Sequence, residues 1–201
     1  MRTIAWVGIY LAALVCSAIG PKDFFTWLLE VLPALLAAGL LASTRRRFPL
    51  TPLVYGLILI HCLILMQGGH YTYAEEPFFN GLKEVFGWSR NNYDKLGHFA
   101  QGFIPAMVAR EILLRKAVVC GRGWLHFLVV CVCLAISAVY ELIEWWVAVL
   151  SGTGADAFLA TQGYVWDTQS DMAFALLGAL LALLLLAKTH DRQLAELRRQ
   201  G

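Results

Sequence analysis

The chain has 201 residues, of which 59% are hydrophobic and 15% are charged. Soluble domains carry about 25% charged residues, so this composition excludes a water-facing globular protein and predicts an integral membrane protein. The formal net charge of +2 is small, and no basic cluster is interleaved with aromatic residues, so no nucleic-acid partner is expected. Membrane lipids are the expected surroundings, and the sequence identifies no protein partner.

Apolar stretches predict an all-α, polytopic membrane helical bundle with six transmembrane helices, forming one domain over residues 1–201. In chain order, the predicted spans cover residues 4–19, 24–42, 52–67, 96–114, 124–150 and 172–188. About 20 residues cross a 30 Å hydrocarbon core, so the first and third spans are short and the fifth is long.

The segments between and after the predicted spans also contain sequence patterns that predict helices. The longest of them, residues 68–95, contains Leu82, Val85 and Phe86 at helical spacing, which predicts an amphipathic cover at the membrane surface. Residues 189–200 follow the last span and predict a short, charged helical extension in solvent.

The positively charged residues predict the orientation. With six spans, twelve of the 16 lysines and arginines fall on one side of the membrane, and the remaining four are Lys22, Lys83, Arg90 and Lys95. The positive-inside rule therefore places both termini in the cytoplasm and residues 68–95 and 151–170 outside.

Three spans carry ionisable residues near their predicted outer ends, at comparable depth. A charged side chain at membrane depth costs roughly 2.5–3.5 kcal/mol on insertion scales, so such residues are rare without a partner or a function. They predict an outward-facing polar pocket. The residues expected to build it are Asp94, His98, Glu141, Glu144, Asp167 and Asp171.

Glu141 and Glu144 contribute most to this prediction. Two carboxylates one helical turn apart repel each other, and at the edge of the hydrocarbon they cannot both stay charged without a cation or a hydrogen-bond donor. The partner could be Lys95, His98, a shared proton, a metal ion or a cationic group of a substrate. The alternative is that both acids simply extend into the headgroup region.

A divalent metal is a possible cofactor, with Glu141, Glu144 and His98 as its ligands, although no His-Glu-x-x-His or comparable spacing is present. Some of the polar residues also have simpler interpretations. Asp167 alone suits a helix cap, and Asp94 with Lys95 suits an interfacial charge pair.

Two further patterns predict helix packing. Glu111 and Arg115 are spaced i, i+4 in the order that supports a helix. Gly178 stands among alanines in the last span, which predicts close approach to another helix.

Five sequence motifs stand in order along the chain: Tyr93-Asp-Lys-Leu-Gly-His-Phe-Ala-Gln-Gly102, Arg110-Glu-Ile-Leu-Leu-Arg115, Tyr140-Glu-Leu-Ile-Glu-Trp-Trp146, Ala155-Asp-Ala-Phe-Leu-Ala-Thr-Gln-Gly163 and Trp166-Asp-Thr-Gln-Ser-Asp-Met172. These motifs resemble those of the YjdF-type bacterial inner-membrane proteins. The resemblance extends over nearly the whole chain. It implies a multi-pass protein of the bacterial inner membrane, in a family without an established activity.

A more distant similarity is to the VanZ-like membrane proteins, which are associated with glycopeptide-antibiotic resistance. Asp94, Lys95 and His98 match that family's first element, and Glu141 or Glu144 its second. Asp171 and Gly178 fit the third, but Ala175 stands where the family has asparagine. The similarity implies related architecture rather than shared chemistry.

The leading hypothesis is a pocket that acts on a lipid or another component of the cell envelope. His98 would be general acid or base, since histidine titrates near neutral pH, with Asp171 orienting it and Asp94 beside it. Glu141 and Glu144 would hold a metal ion or a shared proton. The candidate substrate-binding residues are Lys95, Gln101, Gln162, Asp167 and Gln169.

Two other functions fit the same residues, and enzymatic activity stays open. Acids on several helices suit a small proton- or cation-coupled permease. Alternatively, the protein is a non-catalytic membrane partner of an envelope complex, in which the polar groups only fix helix contacts.

Overall fold

The structure is a computed structural model in which residues 3–151, 156–159 and 161–200 are described. Arg2 of the positive-residue pattern and residues 155 and 160 of the motif at 155–163 lie outside these ranges. The described part of the chain is helical with connecting turns, and it contains no β-strand. The predicted all-α class is therefore confirmed at this level.

The helices follow each other as predicted, with two short ones between the long apolar segments. Four of them, α2, α3, α6 and α8, are long and apolar enough to cross a membrane, and α1 is a shorter apolar helix. The bounds are α1 Thr3–Ala18, α2 Phe24–Thr44, α3 Pro52–Tyr71, α4 Pro77–Phe86, α5 Tyr93–Arg115, α6 Arg122–Ser151, α7 Asp156–Leu159 and α8 Asp167–Gln200.

The 23-residue helix α5 is as long as a membrane span but carries many polar side chains. These side chains are buried against neighbouring helices: Asp94, Lys95 and His98 lie near its start, and Arg110 and Glu111 near its end. Helix α5 is therefore the central element, enclosed by α3, α6 and α8, so its polar groups contact protein rather than lipid.

Several helices extend beyond the predicted spans by a few residues, whereas α2 and α3 begin where their spans were predicted to begin, at Phe24 and Pro52. Asp23 Oδ1 accepts a hydrogen bond from the Thr26 amide at 2.6 Å and caps α2, and Thr51 caps α3. Helix α8 begins five residues before the predicted span, at Asp167, because a carboxylate in the first turn is favourable.

The segment 68–95 was predicted as an outer loop, but it contains more helix than loop. It comprises the last turn of α3, a 3-10 turn at Tyr73–Glu75, helix α4 and the first turn of α5. Helix α4 exposes Phe78, Val85 and Phe86, which is the amphipathic character that the spacing predicted. Asp94 and Lys95 consequently lie on α5 itself rather than in the loop.

Helices α5 and α8 form the most extensive pair, and small residues bring their backbones together. A Cβ atom on Gly102 would overlap the Ala175 carbonyl, and one on Gly178 would overlap the Phe99 carbonyl. The predicted close packing at Gly178 is confirmed. Because neither glycine can be replaced without moving backbone, this contact fixes how α5 lies against α8.

The charged tail was predicted as a solvated helical extension, and it is helical with most of its described side chains exposed, but one of its sides is buried. Helix α8 has 34 residues, about 51 Å at 1.5 Å per residue, and its last part packs on the protein. His190 and Leu194 are buried, and the Gln193 side chain accepts a 2.8 Å hydrogen bond from the Leu53 amide. The tail therefore connects α8 to the start of α3.

Candidate functional site

A cluster of buried charged side chains lies where α5, α6 and α8 meet. We call it the His98 cluster. Each member is at least nine-tenths buried, although charged side chains rarely are without partners. Its members are Arg90, Asp94, Lys95, His98, Glu141, Asp167 and Asp171.

Lys95 is the cation at the centre of this cluster. Its Nζ atom lies 2.6 Å from Asp171 Oδ1, 2.7 Å from Asp167 Oδ1 and 3.4 Å from Asp94 Oδ2. Arg90 supports it from the turn before α5, with contacts of 2.5 Å to Asp167 and 3.3 Å to Asp94. Such pairing offsets the desolvation cost of burying these ions.

The His98 ring lies among three carboxylates that come from three helices. Its Nε2 atom is 3.3 Å from Asp94 Oδ1, 3.8 Å from Glu141 Oε1 and 3.9 Å from Asp171 Oδ1. On the other side of the ring, Nδ1 is 3.2 Å from Gln101 Oε1. In this arrangement Nδ1–H donates to Gln101, so Nε2 faces the acids and requires a proton or another cation there.

Glu141 has an unusual environment within the cluster. Its Oε1 atom is buried and has no hydrogen-bond partner among the described residues. An unsatisfied buried carboxylate oxygen is costly and needs an explanation, such as a water molecule, an ion or a ligand that satisfies it. Glu144, one turn further along α6, is half-buried and close enough to interact with Glu141 and His98 through its charge.

The acids therefore converge, but the metal-binding geometry differs from the predicted set. Among the described residues, Asp94, His98 and Asp171 each offer a ligand atom, and these atoms lie within 4.8 Å of one another. Of the predicted ligands Glu141, Glu144 and His98, His98 belongs to this group, and Glu141 Oε1 lies 3.8 Å from His98 Nε2.

The five predicted substrate-binding residues have different positions. Lys95 and Asp167 belong to the cluster, and Gln101 contacts the His98 ring. Gln162 instead exchanges two 2.9 Å hydrogen bonds with the Asn91 backbone and holds two connecting segments together. Gln169 is exposed, because two residues after Asp167 a helix presents the opposite side.

A cleft of about 650 Å³ adjoins the cluster on the Lys95 side. Arg90 and Lys95 lie in its wall, and both cations lie over the Tyr164 ring, at 5.5 and 5.7 Å from the ring centroid. The other aromatic lining residues are Phe79, Trp88, Phe99 and Phe174. The cleft thus combines cations with apolar ring faces.

A second buried polar network lies at the opposite end of α5 and α8. We call it the Glu111 network; it comprises Thr51, Arg110, Glu111, Arg115, His190 and Asp191. The Glu111 carboxylate accepts from the Thr51 amide at 3.0 Å, the Thr51 hydroxyl at 2.8 Å and His190 Nε2 at 3.0 Å. The predicted Glu111–Arg115 pair is confirmed at 2.9 Å.

His190 in this network has a defined proton position. Arg110 lies 2.9 Å from its Nδ1 atom, and a guanidinium group can only donate, so Nδ1 accepts. The proton therefore lies on Nε2 and points at Glu111. Arg110 also pairs with Asp191 at 2.6 Å.

Sequence reasoning missed Arg90 and His190, although both had a signal. Arg90 stands four residues before Asp94, close enough along the chain to pair with it from the turn before α5. His190 continues the stripe of buried α8 positions Asp171, Ala175, Ala179 and Ala182 at intervals of about one helical turn. The charged residues around His190 concealed that stripe.

Comparison with known proteins agrees with the membrane architecture. Residues 2–192 match the model of a family described as "Predicted membrane protein (DUF2238)". The chain is also 58% identical over 181 residues to "Inner membrane protein YjdF" of Escherichia coli (strain K12), covering 90% of this chain and 87% of the relative. No solved structure matches. The predicted family and inner-membrane location are confirmed, and the chain belongs to the DUF2238 family of predicted membrane proteins.

Proposed function

We propose that the His98 cluster is the functional site, and that it acts on the polar part of a lipid or another envelope component. The observation that supports this is the surrounding of His98 Nε2 by three carboxylates, together with the unpartnered Oε1 atom of Glu141. In the Glu111 network the central carboxylate accepts hydrogen bonds at both of its oxygens. The His98 cluster instead leaves a carboxylate oxygen of Glu141 unpartnered near the histidine.

The proposal includes the orientation. The described helices α1, α2, α3, α5, α6 and α8 form six crossings with both termini in the cytoplasm, since that arrangement collects the lysines and arginines on the inner side. The His98 cluster then lies toward the outer side of the membrane. Its substrate reaches it from the outer leaflet through the cleft beside Lys95.

Charge balance indicates what the cluster binds. Four carboxylates, on Asp94, Asp167, Asp171 and Glu141, face two permanent cations, on Arg90 and Lys95. The cluster therefore carries two excess negative charges. With His98 protonated one remains, and a further proton or a substrate amine balances it; with His98 neutral, a divalent cation near Asp94, His98 and Asp171 balances both.

If the site is catalytic, the geometry assigns roles. His98 transfers a proton through Nε2, while Gln101 and Asp94 fix the ring. Glu141 accepts the proton or helps to hold the cation, and Asp171 lies beside both. Lys95 and Arg90 face the cleft, where they would bind anionic groups of the substrate.

Metal analysis of the purified protein tests this proposal. We expect His98→Ala and Glu141→Gln to weaken stabilisation by divalent cations about 10- to 100-fold, with loss of function in a complementation assay. Glu196→Gln, an exposed change on α8, is the matched control. If both variants fold and keep the wild-type metal content, cation response and complementation, the cluster is structural and the proposal is wrong.

A proton- or cation-coupled permease is the second candidate, and Glu30 favours it. This buried acid on α2 accepts a 3.2 Å hydrogen bond from the Tyr140 hydroxyl, and the Tyr140 ring contacts the His98 ring edge-on at 6.2 Å. Through Tyr140, these contacts link the His98 cluster to one further acid, Glu30, which lies further inward. Proton uptake by proteoliposomes that contain the wild type, and its loss in Glu30→Gln, would support transport over catalysis.

A further inference from the structure

A second cavity, of about 640 Å³, lies between α2 and α6 and is apolar. Helix α2 packs on α3 and α6 packs on α5 and α8, which leaves a groove with α3 and α5 as its floor. Small side chains keep it open, among them Ala34 and Ala37 on α2 and Ala109 on α5. Its upper end lies near Pro33 and Ile136, one turn from the Glu30–Tyr140 hydrogen bond.

The length of this groove matches one leaflet of a bilayer. Along α2 its lining runs from Pro33 to Thr44, about 16 Å at 1.5 Å per residue. Half of a hydrocarbon core is about 15 Å. His61 is the one histidine of its lining, and Glu30 is not part of it, so the groove suits a hydrocarbon chain rather than an ion path.

Cations surround the other end of the groove. Lys116 lines it, with Nζ 5.5 Å from the Phe48 ring centroid, and the Arg115 guanidinium lies 3.7 Å from the same centroid. Arg46 and Arg47, just after α2, are exposed. Arg115 is paired with Glu111, whereas Lys116 pairs with no carboxylate in the part of the chain that the structure describes.

We propose that this groove binds an anionic phospholipid of the inner leaflet. One acyl chain lies along the small residues of α2 and α5, and the phosphate lies on Lys116 with Arg46 and Arg47 nearby. An apolar channel of leaflet depth that ends in an unpaired lysine is complementary to such a lipid in both length and charge. A basic residue near the surface contributes about 1 kcal/mol toward anionic lipids.

In this lipid-binding proposal, only the choice of the inner leaflet depends on the membrane orientation proposed above. The groove is separate from the His98 cluster, and its lining includes none of the cluster's members. Lipid binding here and activity at His98 can therefore each fail alone. A reversed topology would move the lipid to the other leaflet without abolishing its binding.

The test measures binding of phosphatidylglycerol, phosphatidylethanolamine and inorganic phosphate to the delipidated protein in detergent, by native mass spectrometry and thermal shift. The wild type should bind phosphatidylglycerol most tightly and inorganic phosphate negligibly. Lys116→Glu reverses one charge and should weaken phosphatidylglycerol binding roughly 5- to 30-fold, leaving phosphatidylethanolamine little changed. Lys188→Glu, another exposed lysine, should bind as the wild type does.

Ala37→Trp fills the groove and should abolish binding of both lipids. Leu36→Trp is its matched control, because Leu36 is 59% exposed and does not line the groove. Should Ala37→Trp fail to fold, Ala109→Met narrows the groove from α5 and has the same expected result. The proposal is overturned if a folded groove variant binds phosphatidylglycerol like Leu36→Trp, if Lys116→Glu equals Lys188→Glu, or if inorganic phosphate stabilises the protein as the lipid does.

Discussion

Removal of the Glu111 carboxylate should strongly destabilise the protein. Glu111 is completely buried and accepts hydrogen bonds from Thr51, His190 and Arg115. Glu111→Ala leaves these donors unsatisfied and the Arg115 charge without its partner. Breaking a buried ion pair by removing one member costs about 3–5 kcal/mol, whereas an exposed pair contributes about 0–1 kcal/mol.

A smaller change, Thr51→Val, measures one part of the destabilisation expected for Glu111→Ala. Thr51→Val removes the hydroxyl that donates to Glu111 at 2.8 Å and that also accepts from the Val54 amide to cap α3, and it keeps the backbone donor of residue 51 at 3.0 Å. A hydrogen bond to a charged group contributes about 1.5–3 kcal/mol and a helix cap about 1 kcal/mol, so Thr51→Val should still cost less than Glu111→Ala, which leaves several donors and a charge unpartnered. For a chain of this size, 1 kcal/mol corresponds to about 2–4 °C in Tm, which predicts a loss of about 6–20 °C for Glu111→Ala.

The assay is reversible unfolding in mixed micelles, followed by circular dichroism, with Glu196→Ala as the control. Glu196 is also a helical glutamate near the same end of the protein, but it is exposed. We expect Glu196→Ala to change the free energy of unfolding by less than about 0.5 kcal/mol. A Glu111→Ala variant within 1 kcal/mol of this control would refute the conclusion that the network joins α3, α5 and α8.

Two further changes test local features of the fold. Gly102→Ala should destabilise the α5–α8 pair, because the added Cβ would overlap the Ala175 carbonyl. Gly81→Ala is the control: its Cβ would meet nothing within 4 Å, so it should be neutral or stabilising by up to about 1 kcal/mol. Equal Tm values for the two variants would contradict the packing of α5 on α8. The Thr26 amide holds the pKa of Asp23 below its ordinary value of 3.8. The cap's contribution is therefore full above pH 3.8 and is lost as the pH falls through the lower pKa of the folded state. Asp23→Asn should keep the cap and remove this pH dependence, whereas Asp23→Ala should cost about 1 kcal/mol at neutral pH in thermal unfolding.

The sequence was sufficient to predict the long helices, because apolar runs of membrane length leave few other structures. It predicted the start of α5 less well. The apolar stretch begins at Leu96, but the helix begins at Tyr93, since Lys95 pairs with Asp167 and Asp171 of α8 and Asp94 pairs with Arg90 and His98. A single sequence does not reveal such a partner, so the charged first turn was assigned to the loop.

The site was predictable in its members more than in its geometry. Helical spacing indicated that Asp94 and His98 share a face, and depth indicated that the acids of α6 and α8 lie at the same level. Which carboxylates meet depends on the rotation of α6 about its own axis, and the apolar stretch around Glu141 does not fix this angle. Glu141 Oε1 is as near to His98 Nε2 as Asp171 Oδ1 is, at 3.8 and 3.9 Å, but the group whose ligand atoms all lie within 4.8 Å of one another is Asp94, His98 and Asp171.

Three separate features fix the alignment of α5 and α8. Lys95 pairs with Asp171 at one end, Gly102 contacts Ala175 in the middle, and Glu111 bonds to His190 at the other end. A slip of α8 by one turn, about 5.4 Å, would break both polar contacts and would bring Phe174 or Ala182, in place of Gly178, against the Phe99 carbonyl. Because each alternative alignment loses buried hydrogen bonds as well as packing, the pair is a rigid unit. Rigidity of this kind allows the His98 ring to be held among acids that would otherwise move apart.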